Sequence, residues 1–358
     1  MIRVLIVDDM LTIRMALRYI LESDPELTVI GEAGSGEEAL DFCRKSRPDI
    51  ATMDINMPGM GGYEAIRQIM SEAPCPIVVI TGIESQHLME VSFKALELGA
   101  LTVLPTPRGL SPDNSDAATL IHQIKTMAAV KVVRRSLRTE STRAMVDKER
   151  VQPAAPVKGV ISPQLKKAPQ LVAIGLSTGG PPALQSLLNG LPSNFPLPIV
   201  IVQHISQGFI FGLASWLSKT TPFRCRVAEH GETIKSGTVY LAPDNTHITI
   251  KASGELCLDT SSEPLNGHRP SASVLFESVA RNFGDKAIGI LLTGMGQDGA
   301  TGLRAMHQSG AYTIAQDEAS SVIFSMPKAA IELNAVTEVL SISEVAPRLR
   351  SLTERSPG

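Results

Sequence analysis

No apolar run in this 358-residue chain approaches the roughly 20 residues that a bilayer-spanning helix needs. An excess of one charge is also lacking. The 33 Lys and Arg against 36 Asp and Glu leave a net charge of −3 and give no basis for a nucleic-acid partner. Cysteine is sparse: Cys43, Cys75, Cys225 and Cys257 are scattered, with no close pair at metal-ligand spacing. Reduced, packed thiols in a cytoplasmic protein are the expectation. The strand-like IRVLIV follows Met1 directly, so no secretory signal is expected either. What remains, at 43% hydrophobic and 19% charged residues, is an ordinary globular composition. The length predicts two domains, each able to bury its own core.

Along residues 1–107, short apolar runs alternate with amphipathic segments. Strands are predicted at 2–7, 27–31, 49–53, 76–81 and 101–104, with helices at 12–23, 35–46, 62–73 and 85–98 between them. Ser35-Gly36-Glu37-Glu38 reads as a capping box at one helix start. A further helix at 116–130 would place Leu120, Ile121, Ile124 and Met127 on one face. This βα alternation predicts a doubly wound, five-stranded parallel sheet of flavodoxin-like form over 1–130. Residues 131–167 are basic, then proline-punctuated, and read as a linker. From Leu171 the rhythm returns, with strands predicted at 171–176, 197–203, 238–242, 246–250, 287–293 and 311–315. A second α/β domain with a mainly parallel sheet is expected over 168–350, with a short tail over 351–358. The stretch 223–260 reads as hairpins, GTVYLAPDNTHITI and then GELCLD.

In the first domain, Asp8 and Asp9 end one predicted strand, Asp54 another and Thr81 a third. Ligands bind at this carboxyl edge of open α/β sheets. Three carboxylates converging there repel one another and call for a cation, and hard oxygen ligands with room for water suit Mg²⁺. An Asp beside such a metal can act as a nucleophile toward a phosphoryl group, and Thr81 could donate a hydrogen bond to one of its oxygens. VLIVDDMLTIRMAL, MDINMPGMGGYEAI, PIVVITG and ALELGA resemble the receiver domain of bacterial response regulators over residues 2–107. The resemblance implies that Asp54 accepts a phosphoryl group from a histidine kinase. It also implies Mg²⁺ on Asp9, Asp54 and the Asn56 backbone carbonyl, with Asp8 acting through water. There is one departure: GALTVLPTP places Thr106 where the family carries a lysine that pairs with the phosphoryl group.

In the second domain, GLSTGGPP is by itself an ordinary strand-to-helix turn, although Gly175 to Gly179 satisfy G-x-S-x-G around Ser177. A serine nucleophile needs a base, and the base an orienting carboxylate. The strand in PLPIVIVQHI ends at His204, and LLTGMGQDGATGL presents Asp298 after another strand. All three residues would then share one sheet edge. The N–H groups of Gly179 and Gly180, or those near Met295 and Gly296, would be placed to receive an oxyanion. The order Ser, His, Asp argues against a lipase-like α/β-hydrolase, whose order is Ser, Asp or Glu, His. A non-catalytic, DNA-binding output domain would instead show a helix-turn-helix and a basic surface.

GLSTGGPPAL, VQHI, VYLAPDNTHI, HRPSASVLFESVA, LLTGMGQDGATGL and AQDEASSVIFSMPKAA resemble the catalytic domain of chemotaxis protein-glutamate methylesterases over about 171–335. The resemblance implies Ser177 as nucleophile, His204 as base and Asp298 as its orienter, with Thr178 and Met295 beside the site. It also implies a receiver-regulated enzyme acting on methylated chemoreceptors, with glutamine deamidation as a second activity and no cofactor for the esterase. Ala272 departs from the family pattern after HRPS. HRPS could offer a second base in His268, but its place before a predicted helix favours a structural or substrate-facing role.

Overall fold

The computed structural model describes residues 1–82, 86–107, 115–130, 132 and 167–354, and the chain forms two compact units. Most of the predicted linker and the last four residues of the predicted tail lie outside the described residues. Among the described residues, no helix is long and apolar enough to cross a membrane.

The N-terminal elements run β1 (Ile2–Val7), α1 (Leu11–Leu21), β2 (Leu27–Ala33), α2 (Gly36–Ser46), β3 (Ile50–Met53), α3 (Gly62–Glu72), β4 (Ile77–Thr81), α4 (Gln86–Leu98), β5 (Thr102–Pro105) and α5 (Ser115–Ala128). The five strands form one parallel sheet in the order β2-β1-β3-β4-β5. Val4, Leu5, Ile6, Ile50, Ala51, Ile77, Val78 and Val79 are inaccessible to solvent, as expected for a sheet covered on both faces. The Ser35 hydroxyl caps α2 by accepting from Glu38 N–H, while the Glu38 carboxylate reaches back to Gly34 N–H. On α5, Leu120, Ile124 and Met127 are buried as the spacing predicts.

The second unit contains β6 (Leu171–Leu176), α6 (Gly180–Asn189), β7 (Ile199–Gln203), α7 (Ile210–Thr220), β8 (Arg224–Val227), β9 (Thr238–Leu241), β10 (His247–Ile250) and β11 (Leu256–Asp259). It continues with α8 (Ala272–Phe283), β12 (Ala287–Leu291), α9 (Ala300–Gln308), β13 (Tyr312–Gln316), α10 (Ser325–Glu332), β14 (Glu338–Leu340) and α11 (Ile342–Glu354). Seven strands pair in parallel in the order β14-β13-β12-β6-β7-β9-β8. The topology turns at β6: the chain first builds outward through β7, then returns to lay β12 against the other side of β6. That reversal leaves a crevice at the carboxyl ends of the three central strands.

One expectation is corrected. GTVYLAPDNTHITI is not a hairpin, because β9 joins the parallel sheet and β10 pairs antiparallel with β11 in a separate ribbon. Val239, Tyr240 and Leu241 are all buried, which suits a strand covered on both faces rather than one arm of a half-exposed ribbon. The β10–β11 hairpin was foreseen, whereas β8, β14, α10 and α11 were not.

Candidate active site

Three turns meet at the crevice of the second unit. After β6 the chain turns sharply at Ser177, and Gly179 adopts φ +78°, a left-handed conformation that side chains disfavour. Gly294, after β12, lets the second turn approach closely, since a Cβ there would lie 2.8 Å from Ser177 Cβ. The two turns are sewn together: Ser177 N–H donates to Thr293 O at 3.0 Å, and the Thr293 hydroxyl donates to Thr178 O at 2.9 Å. After β7, His204 N–H donates to Leu176 O at 3.0 Å. The buried Gln203 amide then donates to both Ser177 O (2.9 Å) and His204 O (2.8 Å), tying the two backbones through one side chain.

The structure brings His204 and Asp298 together. His204 Nε2 lies 2.9 Å from Asp298 Oδ2, off the line of a well-formed hydrogen bond. Asp298 is 3% exposed and sits against the N-terminus of α8. It accepts from the Ser271 hydroxyl (2.6 Å), Ala272 N–H (2.6 Å) and Ser273 N–H (3.2 Å). Burial alone would raise its pKa. The neighbouring His204 and the bonds from Ser271 and Ala272 outweigh that and hold the carboxyl well below the usual carboxylate range. The aspartate is therefore ionised and rotationally fixed.

Ser177 is half-exposed, and neither His204 nitrogen, both buried, has a hydrogen-bond partner among the described residues. Resting contacts of this kind tighten when substrate binds. Two expected oxyanion donors are corrected. Gly180 N–H is consumed by Ser177 O at 2.8 Å, and Gly296 N–H by the Ser325 hydroxyl at 3.0 Å. The N–H groups of Thr178, Gly179 and Met295 have no acceptor among the described residues. Gln203, Ser271 and Thr293 escaped the sequence analysis. Each sits beside a recognised motif, but only the fold shows which atom it holds.

In the first unit, Asp8, Asp9 and Asp54 lie at the carboxyl ends of adjacent strands β1 and β3, as expected. Burial, together with the Asp54 and Asp9 charges, pushes the Asp8 carboxyl up to about 6, and burial also raises Asp54. Asp8 accepts from Met10 N–H at 2.8 Å and Asp54 from Asn56 N–H at 3.1 Å. The Thr81 hydroxyl is buried without a partner among the described residues, and Thr106 N–H donates to Thr81 O, placing Thr106 at the same edge. As they stand, no three His, Cys, Asp or Glu side chains among the described residues close around a single ion. Two carboxylates, a backbone carbonyl and water are nonetheless a sufficient Mg²⁺ set, and mutually destabilised carboxylates are what such an ion would relieve.

Two family models match the chain: CheB methylesterase over residues 172–349 and response regulator receiver domain over 4–110. A protein-glutamate methylesterase/protein-glutamine glutaminase from Syntrophus aciditrophicus is 45% identical over 97% of both chains. A protein of the same description from Nitrosospira multiformis is 44% identical over 98% of this chain and 97% of its own. The crystal structure of the Thermotoga maritima CheB methylesterase catalytic domain, 38% identical, matches with a TM-score of 0.50 over 52% of this chain and 99% of that one. With both models matching in tandem and relatives alike from end to end, this chain belongs to the CheB family, a receiver domain followed by a methylesterase domain.

Proposed function

We propose that this chain is a cytoplasmic, receiver-controlled serine esterase that hydrolyses γ-glutamyl methyl esters on chemoreceptors, releasing methanol, and deamidates receptor glutamines. A receiver over 1–130, a linker over 131–167 and a catalytic domain over 168–350 fit this reading. The observation that carries it is the His204–Asp298 pair on the edge where β6 presents Ser177, with the carboxylate kept ionised by three donors from Ser271, Ala272 and Ser273.

In this mechanism the Ser177 hydroxyl attacks the ester carbonyl while His204 accepts its proton. Because Nε2 faces Asp298, the unpartnered Nδ1 is the nitrogen left for that proton. The tetrahedral oxyanion would be received by free N–H groups at Thr178, Gly179 or Met295. The resulting imidazolium, stabilised by Asp298, returns the proton to the departing methoxide. Water then attacks the acyl-serine by the same route, leaving a glutamate. A glutamine side chain would follow the same steps with ammonia as the leaving group.

In the receiver, Asp9 and Asp54 with the Asn56 carbonyl would hold Mg²⁺, and Asp8 would bind through water. The ion, when bound, supplies charge neutralisation for phosphoryl transfer from a histidine kinase to Asp54. The test is methanol release from methyl-labelled receptor membranes. Release by the full chain and its loss in folded Ser177→Ala protein are expected; equal release by both would overturn the assignment.

A further inference from the structure

His268 was weighed as a second base and read as structural or substrate-facing, and the mechanism above does not use it. Its ring lies flat on the ring of His204, with centroids 4.2 Å apart and planes within 1°. The backbone that presents it is closed on both sides. Leu265 and His268 exchange both backbone bonds, at 3.1 and 3.0 Å, around Asn266 (φ 52°) and Gly267 (φ 81°). Two consecutive left-handed residues make the rigid two-residue turn of a tight hairpin. The next residue, Arg269, donates through Nη1 to Thr260 O (3.0 Å) and Ser262 O (2.8 Å). Beyond it, Ser271 N–H donates to His247 Nδ1 (3.3 Å), and the other nitrogen of His247 donates to Glu263 O (3.1 Å). Local structure is thus committed to fixing this one imidazole over the catalytic base.

We propose that His268 is a positioning residue for the base: its neutral ring fixes the plane of His204 and supports the imidazolium that forms when Ser177 gives up its proton. A neutral aromatic face next to a cation is favourable, whereas two stacked imidazolium rings repel. His268 therefore works only when unprotonated. Four charged or titratable groups surround it: His204 and Asp298 on the catalytic edge, Asp244 on the turn after β9, and Arg269 on its own hairpin. Asp244 and Arg269 line a cavity of about 160 Å³ together with both histidines. Burial and the His204 charge lower the pKa of His268, with Asp298 acting the other way. The neutral form thus prevails at neutral pH, and falling pH charges a ring that must stay uncharged. Acid should then charge the two rings in two separated steps, because the first proton opposes the second.

The inference rests on the esterase reading, so the test carries a readout that needs no substrate. Full-length wild type, His268→Ala and His268→Phe are compared for kcat, KM and pH profile of methanol release. The His204 ring protons are titrated by NMR in histidine-labelled protein. His268→Ala should lower kcat about tenfold with little change in KM, the value of one aromatic contact in the transition state. His268→Phe keeps a flat face and should recover to within about threefold of wild type at alkaline pH. Its acid limb should show a single inflection, against two separated inflections in the wild type. A raised KM with unchanged kcat would make the ring a substrate contact instead. Phe behaving no better than Ala, or identical pH profiles, would equally overturn the proposal. If no methanol is released by any protein, the esterase reading fails. The stack is then judged on NMR alone, where an unchanged His204 titration in His268→Phe refutes it.

Discussion

Asp8 and Asp298 are buried to nearly the same extent, at 4% and 3% exposure, and both follow a central strand of a parallel sheet. Their acidities move in opposite directions. Asp8 has one backbone donor and two neighbouring carboxylates, and its pKa rises to about 6. Asp298 has Ser271, two N–H groups at a helix start and His204, and its pKa falls. Burial therefore does not decide ionisation; the supply of donors does. The receiver edge gathers carboxylates that raise one another, whereas at the esterase edge the donors around Asp298 favour its ionised form. The same topological device thus surrounds one buried carboxylate with like charges and the other with donors.

The sharpest way to break this comparison is at the catalytic edge. Ser177→Ala should cost about 10⁴-fold or more in methanol release, and Asp298→Asn a comparable loss, with the double variant no worse than either alone because the residues act as a unit. Additive losses would show that Asp298 works separately. Ser271→Ala removes one donor from the carboxylate without touching the base, and steady-state kinetics should show a loss of about tenfold to a hundredfold in kcat.

At the receiver edge the sign is reversed. A carboxyl whose folded pKa lies above its unfolded value destabilises the fold as pH rises between 3.8 and about 6, because the folded state gives up its proton at a cost. Mg²⁺ should therefore raise the receiver's melting temperature clearly at pH 7.5 and much less at pH 5, as followed by calorimetry. Asp298, with a depressed pKa, contributes stability that is present above the unfolded carboxylate pKa and is lost only as pH falls through the folded one. The smallest effect concerns Thr106, a neutral donor where a charge-assisted bond would be roughly twice as strong. Thr106→Lys should modestly increase stimulation by a small phosphodonor with Mg²⁺. Strong wild-type stimulation, lost in Asp54→Ala and unchanged in Thr106→Lys, would show that the receiver needs no ammonium.

The βα rhythm, the strand ends and the residues that follow them were legible because buried parallel strands are short apolar runs ended by turn chemistry. Ser177, His204, Asp298, Asp8 and Asp54 could be placed on edges from that alone. What could not be read is which atoms meet. Ser271 lies in HRPS and Asp298 in GMGQDG, and nothing in their spacing announces a 2.6 Å bond. Gly180 and Gly296 looked like open donors, but their N–H groups are spent within the turns. The β9–β10 stretch resembled a hairpin because both strands are short and a Pro-Asp-Asn turn joins them; burial of β9 on both faces decided otherwise.

The placement of β6 between β7 and β12 also governs how the enzyme is born. Thr293 and Thr178, which join the two active-site turns, are 115 positions apart in the chain. At roughly 5–20 residues per second, a nascent chain waits on the order of ten seconds between making the serine turn and making its partner. Throughout that interval the wholly buried, apolar β6 has one edge without a neighbour, the kind of edge that recruits other strands. Closure of so distant a contact is also slow. The Ser177 turn therefore leaves the ribosome long before the turn it is sewn to, and the half-made sheet is meanwhile vulnerable to aggregation.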